Sequence, residues 1–253
     1  MTNLKIYHLY PANLNLYGDR GNIIALRKRA AWRSIKVEII PIQPGDEIDF
    51  SRCDLLFMGG GQDSDQALVA EDLKKRRREL LQAVEEGMTI LAVCGSYQLL
   101  GSYYVTGSGE KIGGLELIDL YTEAGQKRLI GNAVIHSTLW NPPRTLAGFE
   151  NHAGKTYLGP SVNALGKVVH GFGNNGEDKL EGVRYKNIIG TYLHGALLPK
   201  NPWLTDLLLE KALAYRGFEH PLEPLDDTFE LNAHNKAVYI AGSKKHKKRA
   251  TKV

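Results

Sequence analysis

Thr89-Ile-Leu-Ala-Val-Cys94-Gly-Ser96-Tyr-Gln98-Leu-Leu-Gly101 is the stretch whose reading decides the fold. An apolar, partly β-branched run stops at a cysteine. Small residues follow, and then a helix-like segment. This is the layout of a nucleophile elbow, which exposes a reactive side chain on a sharp strand-to-helix turn. Ala92 and Ser96 flank Cys94 at two residues on either side, where such a turn leaves room only for small side chains. Free N–H groups at the start of the helix favour a thiolate. A buried, inert strand thiol fits the same segment, since free cysteine is often interior. From the elbow alone both readings stay open.

The flanking sequence alternates strand-like and helix-like segments. Residues 4–10, 35–42, 53–58 and 89–94 read as strands. A helix capped by Asp19 runs to about residue 33, and a long helical pattern covers 66–86. Alternation of this kind predicts βαβ units and a parallel sheet with helices on both faces. The second half changes character. Segments 113–121, 128–136, 146–152 and 167–171 read as short strands, and 181–185 with 187–193 as a hairpin or a bent strand. A helix over 202–217 has Pro202 near its start and Gly217 after it. A weaker helical pattern spans 226–241.

Composition narrows the class. At 253 residues and 43% hydrophobic, the chain can bury a sizeable core. Two cysteines make no disulfide framework, and the N-terminus lacks the apolar region of a signal peptide. The longest uncharged stretch, 87–109, is too polar to span a bilayer. These features predict a cytoplasmic protein with reduced thiols. The net charge of +4 belongs to the tail: residues 244–253 hold six of the 32 bases, and the remainder has 26 bases against 28 acids, a net of −2. The body is therefore no basic nucleic-acid platform. The tail reads as a solvated end or as a peripheral contact with anionic lipid at the inner membrane face.

In an open parallel sheet, ligands bind beyond the carboxyl ends of the strands. Three segments end there: Cys94, the run Gly59-Gly60-Gly61, and His194 in Gly190-Thr-Tyr-Leu-His194-Gly195. Of the eight histidines, His194 is best placed to serve Cys94 as base and acid. Backbone N–H groups of Gly60 and Gly95 are candidate oxyanion donors. Asp19 and Asn22 lie in the loop after the first strand, where Asp19 reads as a helix cap. No Walker-type phosphate loop and no metal-ligand spacing occurs, so no metal site is expected in this chain.

The elbow, Gly148-Phe-Glu-Asn-His152-Ala-Gly154 and Gly190-Thr-Tyr-Leu-His194-Gly195 occur in an order that resembles the class I glutamine amidotransferases, in the branch typified by cobyric acid synthase. Three further segments are similar to a subfamily of that branch, the glutaminase subunits of lipid II isoglutaminyl synthase. They are Leu14-Asn-Leu-Tyr-Gly-Asp19-Arg-Gly-Asn22-Ile-Ile-Ala-Leu-Arg27, Arg128-Leu-Ile-Gly131 and Gly171-Phe-Gly-Asn-Asn175-Gly-Glu-Asp178. The resemblance covers roughly residues 4–217. It implies an α/β, three-layer, flavodoxin-like amidotransferase fold with a mostly parallel central sheet and an antiparallel strand insertion. The domain would cover 1–243, followed by the basic tail 244–253.

It also implies a reaction. Cys94 attacks the glutamine carboxamide, a glutamyl thioester forms, and ammonia leaves. His194 is base and acid, Gly60 and Gly95 bind the oxyanion, Arg128 grips the α-carboxylate, and Gln98 lines the pocket. The chain itself would need no cofactor. ATP and magnesium would sit on a MurT-like Mur-ligase subunit, forming a heterodimer that amidates the D-glutamate of lipid II. Competing readings are a free-standing γ-glutamyl hydrolase, a subunit for a cobyric-acid-like acceptor, and a non-catalytic module on the same fold. Class I amidotransferases usually carry an acid two residues after the catalytic histidine. Here Gly195 and Ala196 follow His194. The expectation is that a partner subunit supplies the missing carboxylate, or closes the site so that none is needed.

Overall fold

A computed structural model describes residues 3–243; the basic tail lies outside them. In chain order the elements are β1 (Asn3–Leu9), α1 (Arg20–Ala31), β2 (Lys36–Ile42), β3 (Leu55–Met58), α2 (Asp63–Lys75), α3 (Arg77–Glu85), β4 (Thr89–Val93) and α4 (Gly95–Leu99). Then come β5 (Tyr103–Val105), β6 (Lys111–Gly113), β7 (Leu120–Ser137), β8 (Arg144–Leu158), β9 (Gly166–His170), β10 (Leu180–Glu181), β11 (Val183–Tyr185), β12 (Ile188–Thr191), α5 (Pro202–Tyr215) and α6 (Thr228–Gly242).

The first sheet has the order β11-β12-β4-β3-β1-β2. All its pairings are parallel except the β11–β12 hairpin at the edge. β3 and β4 are buried at every position, which is why they read as unbroken apolar runs. Parallel crossovers are right-handed. The β1-α1-β2 and β3-α2-α3-β4 units step in opposite directions across the sheet, so their helices fall on opposite faces. α5 packs beside α1. The chain reverses direction at β1, and the loops after β1 and β3 diverge there. In sheets of this kind that crevice holds the ligand.

The second sheet is a mostly antiparallel insertion of order β10-β9-β7-β5-β6, with β8 paired to β7. A β-bridge joins it to the end of the first sheet: His194 N–H donates to Phe149 O at 2.7 Å, and Phe149 N–H donates back at 3.2 Å. α6 lies across β7 and β8, anchored by His234, whose ring meets Thr145 Oγ1 at 2.7 Å. Arg29 on α1 bonds Asp206 of α5 and Asp227 before α6, tying three segments far apart in sequence.

Several boundaries differ from the sequence reading. The helix expected over 66–86 breaks at Arg76, whose φ of −109° is non-helical, giving α2 and α3. The segments 128–136 and 146–152 are parts of much longer strands, β7 and β8, which pair in register from Leu129 to Ser137 and again from Leu120 to Ala124 across one register shift. The strand expected over 113–121 forms only at its two ends. Between them the chain turns to bury Leu115, Leu117 and Ile118, with N–H bonds from Leu115 to Leu99 O and from Leu117 to Leu100 O.

Candidate active site

Cys94 sits at φ 55° and ψ −111°, a backbone conformation that residues other than glycine rarely adopt. Bonds from two residues hold that strain. The Cys94 N–H donates to Thr191 O at 2.8 Å, fixing the end of β4 to the end of β12. The buried Ser96 hydroxyl lies 2.6 Å from Gly59 O and 2.9 Å from Met58 O, pinning the elbow to the end of β3. Ser96 is thus more than small. The helix that follows has only five residues, so the expected N-terminal field comes from unpaired N–H groups rather than a long dipole.

His194 is fully buried beside Cys94. A Cβ placed on Gly60 would lie 2.7 Å from His194 Cε1 and 3.2 Å from Cys94 Cβ. The glycine run is therefore dictated by space as much as by its N–H groups. At Gly59 a side chain would strike Leu14 O at 2.3 Å.

The structure changes the account of the acid. Asp19 makes no helix-capping bond. Its carboxylate is fully buried, and Oδ2 lies 3.4 Å from His194 Nδ1. The loop after β1 and the loop after β3 meet at the switch point, which brings Asp19 and Gly60 to His194. A carboxylate from within the chain, 175 positions before the histidine, thus lies within ion-pair distance of it. The same Oδ2 accepts the Gly60 N–H at 2.7 Å, so the donor expected to face an oxyanion is engaged by Asp19. Burial opposes charge on His194, but Cys94 and Asp19 outweigh it and raise the imidazole to about 10. The two neighbours thus favour the charged form of the ring against the effect of burial.

The cavity in front of Cys94 has a volume of about 700 Å³. Gln66, Cys94, Gln98, Arg128, Asn151 and His152 are among its lining residues. The exposed Arg128 guanidinium is carried over it by a bulge in β7, where the register with β8 shifts between Ala124 and Leu129. It bonds Asn151 Oδ1 at 3.0 Å and Asn151 O at 3.1 Å. Gln98 Nε2 donates to Tyr192 OH at 2.9 Å, and Tyr192 OH lies 2.6 Å from Thr156 Oγ1. His152 stacks on Tyr192 with ring centroids 3.6 Å apart, and burial pushes its imidazole down to about 3, so the ring is neutral. The carbonyl oxygens of Gln66 and Gln98 are buried without a partner among the described residues.

Of the six residues singled out in the sequence, Cys94, Gln98 and Arg128 line the cavity, whereas His194 and Gly60 pack against Cys94 and Gly95 follows it in the chain, none of the three being a lining residue. Sequence reasoning gave Gln66 no role; it read Asp19 as a helix cap in a loop near the pocket, and the structure places Asp19 at the N-cap position of α1 with its carboxylate turned to His194 instead of the helix. By contrast Gly171–Asp178 is scaffolding. Asn174 bonds Gly182 through both ends of its amide, Asn175 Oδ1 accepts two N–H groups, and the N–H groups of Phe172 and Gly173 hold the Glu150 carboxylate.

The family model of the CobB/CobQ-like glutamine amidotransferase domain matches residues 5–202. The chain belongs to this family. It is 47% identical over 248 residues to the GatD subunit of lipid II isoglutaminyl synthase (glutamine-hydrolyzing) of Staphylococcus aureus, covering 98% of this chain and 99% of the relative. It is 40% identical over 211 residues to the Streptococcus pneumoniae subunit of the same name, covering 83% and 80%. A cobyric acid synthase of Sphingopyxis alaskensis is 30% identical over 213 residues, but only 40% of that longer protein is matched. Among solved structures, a glutamine amidotransferase aligns with a TM-score of 0.54 at 16% identity, covering 81% of this chain and 98% of its own. The glutaminase domain of Trypanosoma brucei CTPS aligns at 0.52 and 9% identity, covering 87% and 96%. These likenesses show the fold: an α/β glutamine amidotransferase with a mostly parallel central sheet. The protein is an enzyme of the glutamine amidotransferase class.

Proposed function

We propose that this chain is the glutaminase subunit of a lipid II isoglutaminyl synthase. It hydrolyses L-glutamine and passes ammonia to an ATP-dependent, Mur-ligase-like partner, which amidates the D-glutamate of lipid II in peptidoglycan synthesis. The observation that carries the acceptor is the 47% identity extending over nearly the whole of both chains. The cavity chemistry supports glutamine as donor. A guanidinium suits a carboxylate, and two unpartnered carbonyl oxygens need N–H donors, which an α-ammonium and a carboxamide supply.

The steps follow from the residues. Cys94 Sγ, as thiolate, bonds to the carboxamide carbon while the carbonyl oxygen takes up negative charge. His194 gives its proton to the departing nitrogen, the C–N bond breaks, and ammonia leaves a glutamyl thioester. Neutral His194 then takes a proton from water. The resulting hydroxide displaces sulfur and releases glutamate, restoring thiolate and imidazolium. Asp19 holds the ring in position throughout. Gly95, at the first position of α4, has no intrahelical acceptor for its N–H and supplies an oxyanion donor.

Arg128→Ala is expected to raise KM for glutamine by about tenfold to a hundredfold, the worth of a charge-assisted bond. Its kcat should change far less. Steady-state kinetics at saturating and limiting glutamine would separate the two, and an unchanged KM would remove Arg128 from the binding role. The whole reading is tested by purifying the chain with its Mur-ligase-like partner and assaying lipid II amidation with glutamine and ATP. Glutamine hydrolysis without transfer to lipid II would refute the acceptor while leaving the glutaminase assignment standing.

A further inference from the structure

We infer that Gln66 is a catalytic and specificity-determining residue that pairs with the scissile carboxamide: its Nε2 donates to the carbonyl oxygen and its Oε1 accepts from the NH2. This inference rests on the glutaminase reading of Cys94. Gln66 stands in the first turn of α2, directly after the glycine run at the end of β3. Its side chain is 3% exposed and lines the cavity that holds Cys94. Its side chain lies against Gly95, the residue next to the nucleophile. A Cβ on Gly95 would come within 2.6 Å of Gln66 Nε2 and 2.8 Å of its Cδ.

Two needs meet at this position. The first is a second oxyanion donor. An oxyanion is normally held by two N–H groups, and the Gly60 N–H is taken by Asp19 at 2.7 Å. Gln66 Nε2 carries two hydrogens and uses one of them only weakly, toward Gly61 O at 3.4 Å. The second N–H is available beside that of Gly95. The other need belongs to Gln66 itself. Its Oε1 is buried with no partner among the described residues, and a buried acceptor costs free energy until a donor arrives.

A primary carboxamide satisfies both atoms at once, because it presents a carbonyl oxygen and an N–H in one plane. Glutamate, the product, presents only acceptors. Its carboxylate would face Gln66 Oε1 without a hydrogen between them. Gln66 therefore discriminates substrate from product through an unpaired polar atom rather than through shape, the stronger of the two devices.

The test uses the full chain with its partner subunit, comparing wild type with Gln66→Leu and Gln66→Glu. Gln66→Glu keeps the length of the side chain and removes the donor; Gln66→Leu is one bond shorter and removes both polar atoms. Turnover of glutamine is expected to fall about 10²–10³-fold in either variant, the usual loss on removing one oxyanion donor. In Gln66→Leu the ratio of the glutamate inhibition constant to KM for glutamine should also fall at least about tenfold, because the pocket no longer penalises a carboxylate. Labelling of Cys94 by a small disulfide reagent should proceed at the wild-type rate if the elbow is intact. Should Gln66→Leu fail to fold, Gln66→Glu decides by the same turnover criterion. Wild-type turnover in a folded variant overturns the inference, and so does an unchanged ratio in Gln66→Leu. Absence of glutamine turnover in the wild-type complex would instead strike the glutaminase reading beneath it.

Discussion

With Cys94 replaced by alanine, glutamine-driven amidation in the reconstituted complex is expected to vanish, while added ammonium salts restore it. Removing the nucleophile of a covalent hydrolase costs on the order of 10⁶ in turnover, because no other group can form the acyl intermediate. The Cys94 side chain is 7% exposed and packed among residues that a smaller methyl group does not disturb. Fold and partner binding should therefore survive, and the acceptor half-reaction with them. Ammonia rescue separates loss of the nucleophile from loss of the complex. Amidation by Cys94→Ala with glutamine as the only nitrogen source would sink the thioester mechanism.

The second large effect is expected at Asp19. Asp19→Asn keeps the size of the side chain but replaces the charge that faces His194 Nδ1 at 3.4 Å. Where a carboxylate orients a catalytic imidazole, the same exchange costs up to about 10⁴ in kcat, so a loss of about 10²–10⁴ is anticipated. The pH profile supplies the sign. His194 is raised to about 10, with the charges of Cys94 and Asp19 overcoming burial. Removing Asp19 leaves burial less opposed, so the imidazolium loses its proton at lower pH. The alkaline limb of kcat/KM should move toward neutral pH. A scaffold role for Asp19 would lower activity without moving that limb. Because the carboxylate is in the same chain, the isolated subunit is expected to show glutaminase turnover without its partner. A basal rate of zero, recovered only in the complex, would return the orienting group to the partner.

The parts of the site that were legible in the sequence are those set by short-range constraints. A strained strand-to-helix turn demands small residues within two positions of Cys94. Three glycines after an apolar strand mark a backbone that must pass close to something, and His194 follows a mostly apolar strand. Each pattern is written in consecutive residues. Asp19 was legible as a residue in the right loop but not in its role. Its neighbours Arg20–Ala31 form a helix, so a local reading assigns it as a cap, whereas its carboxylate points the other way, into the switch point. Gln66 carried no local signal at all. Its significance is a buried carbonyl without a donor, which only the packing of α2 against the elbow produces.

The same division runs through the fold. Period-two and period-3.6 patterns located most elements and the alternation that makes a parallel sheet, because burial of one face acts on each residue separately. The broken helix at Arg76, the full lengths of β7 and β8, and the turns that bury Leu115 to Ile118 depended on neighbours distant in the chain. By itself, then, the sequence determined an α/β sheet with a cysteine on an elbow at one strand end and a histidine at a neighbouring one. Only the tertiary structure shows which carboxylate lies beside that histidine and which amide lies against the elbow. Strand order alone brings residue 19 to residue 194, and no pattern within either segment records that approach.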